Sequence, residues 1–79
     1  MANFNEWEYL LTSTNTFVDI ELYYALIKED GGIMVRVREE VNGWEQSLGV
    51  YSTIKESMKA VEEYKEKVEK LVKFEQDLF

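Results

Sequence analysis

The sequence predicts an α+β fold: a three-stranded antiparallel meander packed on a long carboxy-terminal helix, preceded by a short amino-terminal helix or a fourth edge strand. Three observations carry this. All four glycines fall between residues 31 and 49, where they punctuate runs of alternating apolar and polar residues. The two strongest turn signals, "EDGGI" and "VNGW", set mutually consistent registers. From residue 53 onward the apolar period changes from two to the three-and-four spacing of a helix.

The meander is expected over residues 17–28, 33–41 and 44–51. Asn42-Gly43 can supply both positive-φ positions of a two-residue hairpin loop, which would pair Val41 with Trp44, Val37 with Leu48 and Val35 with Val50. Asp30-Gly31 as the other loop pairs Leu26 with Val35, Tyr24 with Val37 and Ile20 with Val41. Both loops put apolar residues on one face, which is the condition a half-buried sheet imposes on register. That face would carry Val18, Ile20, Leu22, Tyr24, Leu26, Val35, Val37, Val41, Trp44, Leu48 and Val50.

The cover for this face follows directly in the chain. Thr53 and Glu56 have the spacing of a capping box, and Ile54, Met58, Val61, Val68 and Val72 recur on one side of the ensuing helix. Glu63 with Lys67, Glu66 with Lys70 and Glu69 with Lys73 are i, i+4 pairs in the favourable order, each adding some tenths of a kcal/mol. The first sixteen residues admit two readings. Phe4, Trp7, Leu10 and Leu11 suit a short helix, to which the reading leans, whereas Trp7, Tyr9 and Leu11 alternate as in a strand.

Seventy-nine residues make one domain, 1–79, with a thin core. With 46% hydrophobic residues the chain is too apolar to stay disordered despite its charge. It has no cysteine, histidine or proline. Disulfides, thiolate sites, Ser-His or Cys-His nucleophile pairs and His-ligated zinc are therefore excluded. No enzyme activity, catalytic residue or cofactor is expected. The start, "MANFNEWEYLL", lacks a basic region and a continuous apolar run, so neither a signal peptide nor a membrane span is expected. The expected location is cytoplasmic, in a host cell.

Charge is distributed unevenly. Residues 1–52 carry nine acidic and three basic side chains, net -6, while residues 53–79 carry seven and six, net -1. Such a balance disfavours direct binding to nucleic acid or anionic membranes, which recruit Lys and Arg, and favours a protein partner with a basic surface. The predicted register places Glu21, Glu40 and Glu45 in a row on the uncovered sheet face, with Asp19 just beyond and Tyr23 and Arg38 beside them. Like charges opposite one another destabilise a sheet, so the row suggests a docking surface. Calcium or magnesium would suit these ligands by type, but flat strands rarely wrap six oxygens around an ion, and no metal is expected. Glu39 falls on the covered face, where a lysine such as Lys65 is the expected partner at the rim.

In size, acidity, lack of cysteine and histidine, and compact architecture, the chain is similar to small phage-encoded inhibitors, including some anti-CRISPR proteins and nucleic-acid mimics. That resemblance implies a non-enzymatic inhibitor whose carboxylates occupy a basic surface of a host nucleic-acid-handling protein. The alternative is a structural or assembly module that homodimerises or binds a protein through Phe17, Tyr23, Ile27, Met34 and Tyr51, which the register also directs away from the helix.

Overall fold

The computed structural model describes residues 3–14 and 19–77. Four antiparallel strands, β1 (Glu8–Thr14), β2 (Asp19–Glu29), β3 (Gly32–Glu39) and β4 (Trp44–Tyr51), form one sheet in the order β1-β2-β3-β4. Among the described residues a single helix, α1 (Ile54–Asp77), covers one of its faces. The α+β class and the covering helix are as the sequence predicts, and of the two readings of the amino-terminal segment the edge strand is the one that forms.

The β2–β3 hairpin follows the predicted register from Leu22 opposite Glu39 to Glu29 opposite Gly32, but the expected Ile20–Val41 pair does not form, because β3 ends at Glu39. Asp30-Gly31 is its two-residue loop. The β3–β4 hairpin does not follow it. Glu39, not Val41, is the last ladder partner of Trp44, so the connection is the four-residue loop Glu40–Gly43. Among the described non-glycine residues only Asn5 has a positive φ; Asn42 therefore lacks the geometry that a two-residue type I′ loop demands.

This two-residue displacement preserves the faces, but an irregularity between Val35 and Arg36 then alters them. Arg36 pairs with Ser47 and Val35 with Gly49, leaving Leu48 as the extra residue of a bulge. Gly49, at a φ of 147°, adopts a conformation that side-chain-bearing residues avoid. Beyond it the alternation is inverted. Val50 pairs with Met34 on the open face and is 56% exposed, whereas Tyr51 turns inward against the core. The expectation that Val50 is covered and Tyr51 open is thus reversed. Val41 and Trp44, expected in the core, are exposed at the loop; Val18 lies outside the described residues.

A second bulge shapes β1, where Tyr9 pairs with Tyr23 but Leu11 with Leu22. Leu10 is the inserted residue, and both leucines are buried. A regular strand would have sent one of them to solvent. The preceding chain runs on along β2, with the Asn5 N–H donating to the Leu26 carbonyl at 2.8 Å.

The core lies between sheet and helix and is built from Leu10, Leu11, Leu22, Leu26, Ile33, Val35 and Val61, with Met58, Tyr64 and Val68 closing it from α1. Thr53 caps the helix as its spacing predicts: its Oγ1 accepts from the Glu56 N–H, and Glu56 Oε2 accepts from Ser52 N–H, both at 3.1 Å. Ser57, absent from the apolar stripe, is fully buried because its hydroxyl donates to the Thr53 carbonyl at 2.9 Å. Glu63–Lys67 and Glu66–Lys70 do not close as ion pairs; among the described residues the pairs that form are Arg36–Glu45 and Arg38–Glu40, on the sheet. α1 runs antiparallel to β4, with Tyr51 beside Ala60 and Gln46 beside Tyr64. No described helix is long and apolar enough to cross a membrane.

The thin core makes stability sensitive to single positions. Leu26→Ala, at a side chain 2% exposed, should cost about 2–5 kcal/mol by the usual loss of contacts and residual cavity. Leu71→Ala, at 59% exposed, should stay within about 0.5 kcal/mol of the parent. Urea unfolding of both variants checks the contrast.

Candidate functional site

The face of the sheet turned away from α1 is the candidate site, and pairing in the ladders arranges its residues in rows. Glu21 stands opposite Thr12, and the Glu40 N–H donates to the Glu21 carbonyl at 2.9 Å, so these three lie at one end. The next row is Tyr9, Tyr23, Arg38 and Glu45. After it come Ala25, Arg36 and Ser47, and last Ile27, Met34 and Val50. Side chains alternate across a strand, which places all of them on the same side.

The expected row of opposed carboxylates is therefore only partly assembled. Glu21 and Glu40 are neighbours, but Glu45 faces Arg38, because the four-residue loop moves β4 by two positions. Three of these carboxylates have a partner within the chain. Glu21 accepts from the Tyr23 hydroxyl, Glu40 pairs with Arg38 Nε at 2.8 Å, and Glu45 with Arg36 Nε at 3.7 Å. The Glu21 hydrogen bond is the main reason that the Tyr23 phenol titrates above its ordinary value, with burial and the Glu21 and Glu40 charges adding to it. Asp19 sits exposed at the start of β2. These acids form a rim that is partly neutralised and still negative: four carboxylates against the two guanidiniums of Arg36 and Arg38.

The centre of the face is aromatic. The Tyr9 and Tyr23 rings meet edge to face, their centroids 5.9 Å apart at 78°, the arrangement ring quadrupoles favour. Tyr9 also donates its hydroxyl to Thr12 Oγ1 at 2.8 Å. Trp7 reaches the same patch from the segment before β1, its ring 5.7 Å from the Arg38 guanidinium carbon, within cation–π range. The far end is aliphatic, with Ile27 and Met34 half-buried and Val50 exposed. Ala25 is 3% exposed even on this open face.

Of the residues expected in the apolar patch, Tyr23, Ile27 and Met34 are on the open face, Tyr51 is not, and Phe17 lies outside the described residues. Arg36 lies beside Ala25 on this face, as the register predicts; Trp7, Tyr9 and Val50 belong to it and were not anticipated. For Trp7 and Tyr9 the signal was present in the alternation of Trp7, Tyr9 and Leu11. For Val50 there was none, since its orientation depends on the bulge. Among the described residues no group of three or more potential metal ligands is close enough to hold an ion.

Beneath the acidic end lies Glu39, fully buried and without the expected lysine. Its Oε2 accepts from the backbone N–H groups of Glu21 at 3.0 Å and Val41 at 2.7 Å; its Oε1 accepts from the Asn42 N–H and side-chain amide, both at 2.6 Å. Burial pushes the carboxyl upward, but these four donors to the charged form outweigh it and hold the group below its ordinary value. The same bonds curl the loop around the carboxylate, which is why Val41 leaves the ladder.

No protein-family model, curated protein or solved structure matches this chain. The fold and face define a class only: a small two-layer α+β protein with one helix-covered sheet face and one open aromatic face.

Glu39→Gln would set an amide NH2 against N–H donors and is expected to cost about 2–4 kcal/mol near neutral pH, as losing hydrogen bonds to a buried charge does. Because the folded carboxyl titrates below its unfolded value, its contribution is complete above the ordinary glutamate pKa and fades as pH falls through the depressed one. The parent should therefore lose denaturant resistance on acidification, and the variant should show a flatter acid limb. Urea midpoints at neutral and acidic pH decide it.

Proposed function

We propose that this protein is a non-enzymatic binding module that engages a protein partner through the open face of its sheet. One observation carries the reading: a face free of its own helix that gathers Trp7, Tyr9, Tyr23, two arginines, Ile27, Met34 and Val50. Aromatic residues, Met and Arg are the types that concentrate at the centres of protein interfaces. One open face is ordinary for an antiparallel sheet, but a contiguous aromatic and aliphatic patch on it is the kind of surface that marks an interaction site.

The acidic rim sets the partner's chemistry. Asp19, Glu21 and Glu40 lie at one end of the aromatic centre and Glu45 at its β4 edge, and residues 1–52 carry net -6, so the complementary surface is apolar over the centre and basic toward that end. Because Arg36 and Arg38 are already paired, covering them leaves no guanidinium without a counterion, which lowers the cost of desolvation. The charge excess also supports a second reading, in which the carboxylates imitate phosphates and inhibit a host nucleic-acid-handling protein. Salt separates the two: mimicry would lose most of its affinity as ionic strength rises, whereas an aromatic-centred contact would lose little.

The test places a photo-reactive phenylalanine analogue at Tyr9 or Val50 on the open face, or at Glu62 on the exposed side of α1, in a lysate of the source organism. A single protein should cross-link from both sheet positions and not from the helix position, and Val50→Glu should abolish the Tyr9 product. Equal products from Glu62, or none from the sheet positions, overturns the proposal.

A further inference from the structure

We infer that the β3–β4 hairpin has a second register, closed by the two-residue loop Asn42-Gly43, and that the Glu39 carboxylate is the latch that holds it off. The inference concerns the hairpin alone and stands whether or not the open face meets a partner.

Two ladders meet in the observed hairpin. Next to the loop, Glu39 pairs with Trp44 and Arg36 with Ser47; past the Leu48 bulge, Val35 pairs with Gly49 and Ile33 with Tyr51. The register that Asn42-Gly43 would close pairs Val41 with Trp44, Glu40 with Glu45, Glu39 with Gln46, Val37 with Leu48 and Val35 with Val50. The first ladder stands two residues from it and the second only one. A slide of two residues keeps every side chain from Trp44 to Leu48 on its present face, because strand alternation has a period of two. The slide of one beyond them removes the bulge and exchanges the faces of Val50 and Tyr51.

Local chemistry favours the second register in three respects. Asn-Gly is a preferred pair for a two-residue loop, yet only Gly43 of the pair has a positive φ in the observed one. Val41 and Val50 are exposed, and both would turn to the covered face, Val41 beside Trp44. Gly49 would leave its φ of 147° for an extended conformation open to any residue. Against these stand two losses. Tyr51 would give up its place against the core and the bond its hydroxyl donates to the Leu48 carbonyl at 3.3 Å. Glu39 would lose more: the Val41 N–H turns to Trp44 and Asn42 enters the turn, so the carboxylate keeps only the Glu21 N–H and the opposing Gln46 amide. Stripping donors from a buried charge is the larger cost, and the charge on one side chain thereby selects the ladder.

The two registers show different open faces. The observed one sets Arg38 opposite Glu45 and displays Val50. The second sets Glu40 opposite Glu45 and displays Tyr51 in place of Val50.

The chain has no cysteine of its own, so introduced pairs report the register. Directly opposed residues in antiparallel strands have Cα atoms about 4.5–5.5 Å apart, within disulfide reach, whereas residues displaced by two positions exceed the limit of about 7 Å. Arg38→Cys with Glu45→Cys reads the observed register and Glu40→Cys with Glu45→Cys the second. Initial rates of closure in oxidised glutathione are compared in the parent, in Glu39→Gln and in Gly49→Ala, whose added Cβ would meet the Tyr51 hydroxyl at 3.1 Å and is strained at the observed φ. The parent should close the 38–45 pair faster. Glu39→Gln should move the ratio of rates toward 40–45 about tenfold, equivalent to about 1.4 kcal/mol between the registers, and Gly49→Ala should move it the same way with the carboxylate intact. Adding Asn42→Val to Glu39→Gln should reverse the change, since a β-branched residue resists the positive φ of the two-residue loop. If Glu39→Gln does not hold its fold by circular dichroism, Gly49→Ala decides alone. The inference is overturned if no folded variant changes the ratio, if 38–45 slows without 40–45 quickening, or if Asn42→Val leaves the change in place.

Discussion

The arrangement of the open face depends on the Glu39 carboxylate. A charge with no solvent access is tolerated only when its lone pairs are matched, and here four N–H donors converge on it from Glu21, Val41 and Asn42. Those donors come from two places in the chain. Val41 and Asn42 belong to the β3–β4 loop, and Glu21 to the neighbouring strand β2. One side chain thus ties the loop to β2 and sets where the β3–β4 ladder begins. Had the loop closed at Asn42-Gly43 alone, Glu40 would face Glu45 across the strands and Glu39 would be buried without these partners. The observed closure puts Arg38 opposite Glu45 and leaves Glu40 free to pair with Arg38 along β3.

Two bulges then decide what each face contains. Leu10 and Leu48 are both inserted residues, one in each edge strand. In β1 the bulge lets consecutive leucines enter a core that has few other large side chains. In β4 it sends Tyr51 to the helix side and Val50 to the open side. Bulges at edges also interrupt the regular row of unpaired backbone groups that would otherwise invite another strand.

Charge and apolar area are divided along the strands instead of being mixed. The acidic end sits over the Glu39 loop, and the aliphatic end lies toward the β2–β3 hairpin, with the tyrosine pair and Trp7 between them. On the proposed function, such a gradient would distinguish two orientations of a partner, since reversing it would set basic groups on Ile27 and Met34 and apolar groups on Glu21 and Glu40. Orientation would thereby be set by unfavourable pairings as much as by favourable ones.

Sequence alone determined the α+β class, the β2–β3 register, the helix from residue 54 and its Thr53–Glu56 cap, because each rests on local periodicity or on a turn whose chemistry acts within a few residues. It also placed Tyr23, Ile27, Met34 and Arg38 on the open face, since strand alternation within the first hairpin requires no distant contact. Tertiary structure decided the rest. The N-terminal segment became a strand because β2 had a free edge to pair with, while its apolar residues suited helix and strand alike. The loop at Asn42-Gly43 opened to four residues because a carboxylate buried by packing elsewhere needed those N–H groups. Val50 and Tyr51 exchanged faces because a bulge shifts the alternation by one, and whether a bulge forms depends on what the core can admit. Local pattern fixes the phase of a strand only up to its first irregularity; beyond that, the phase is set by which side chains the core has room to bury.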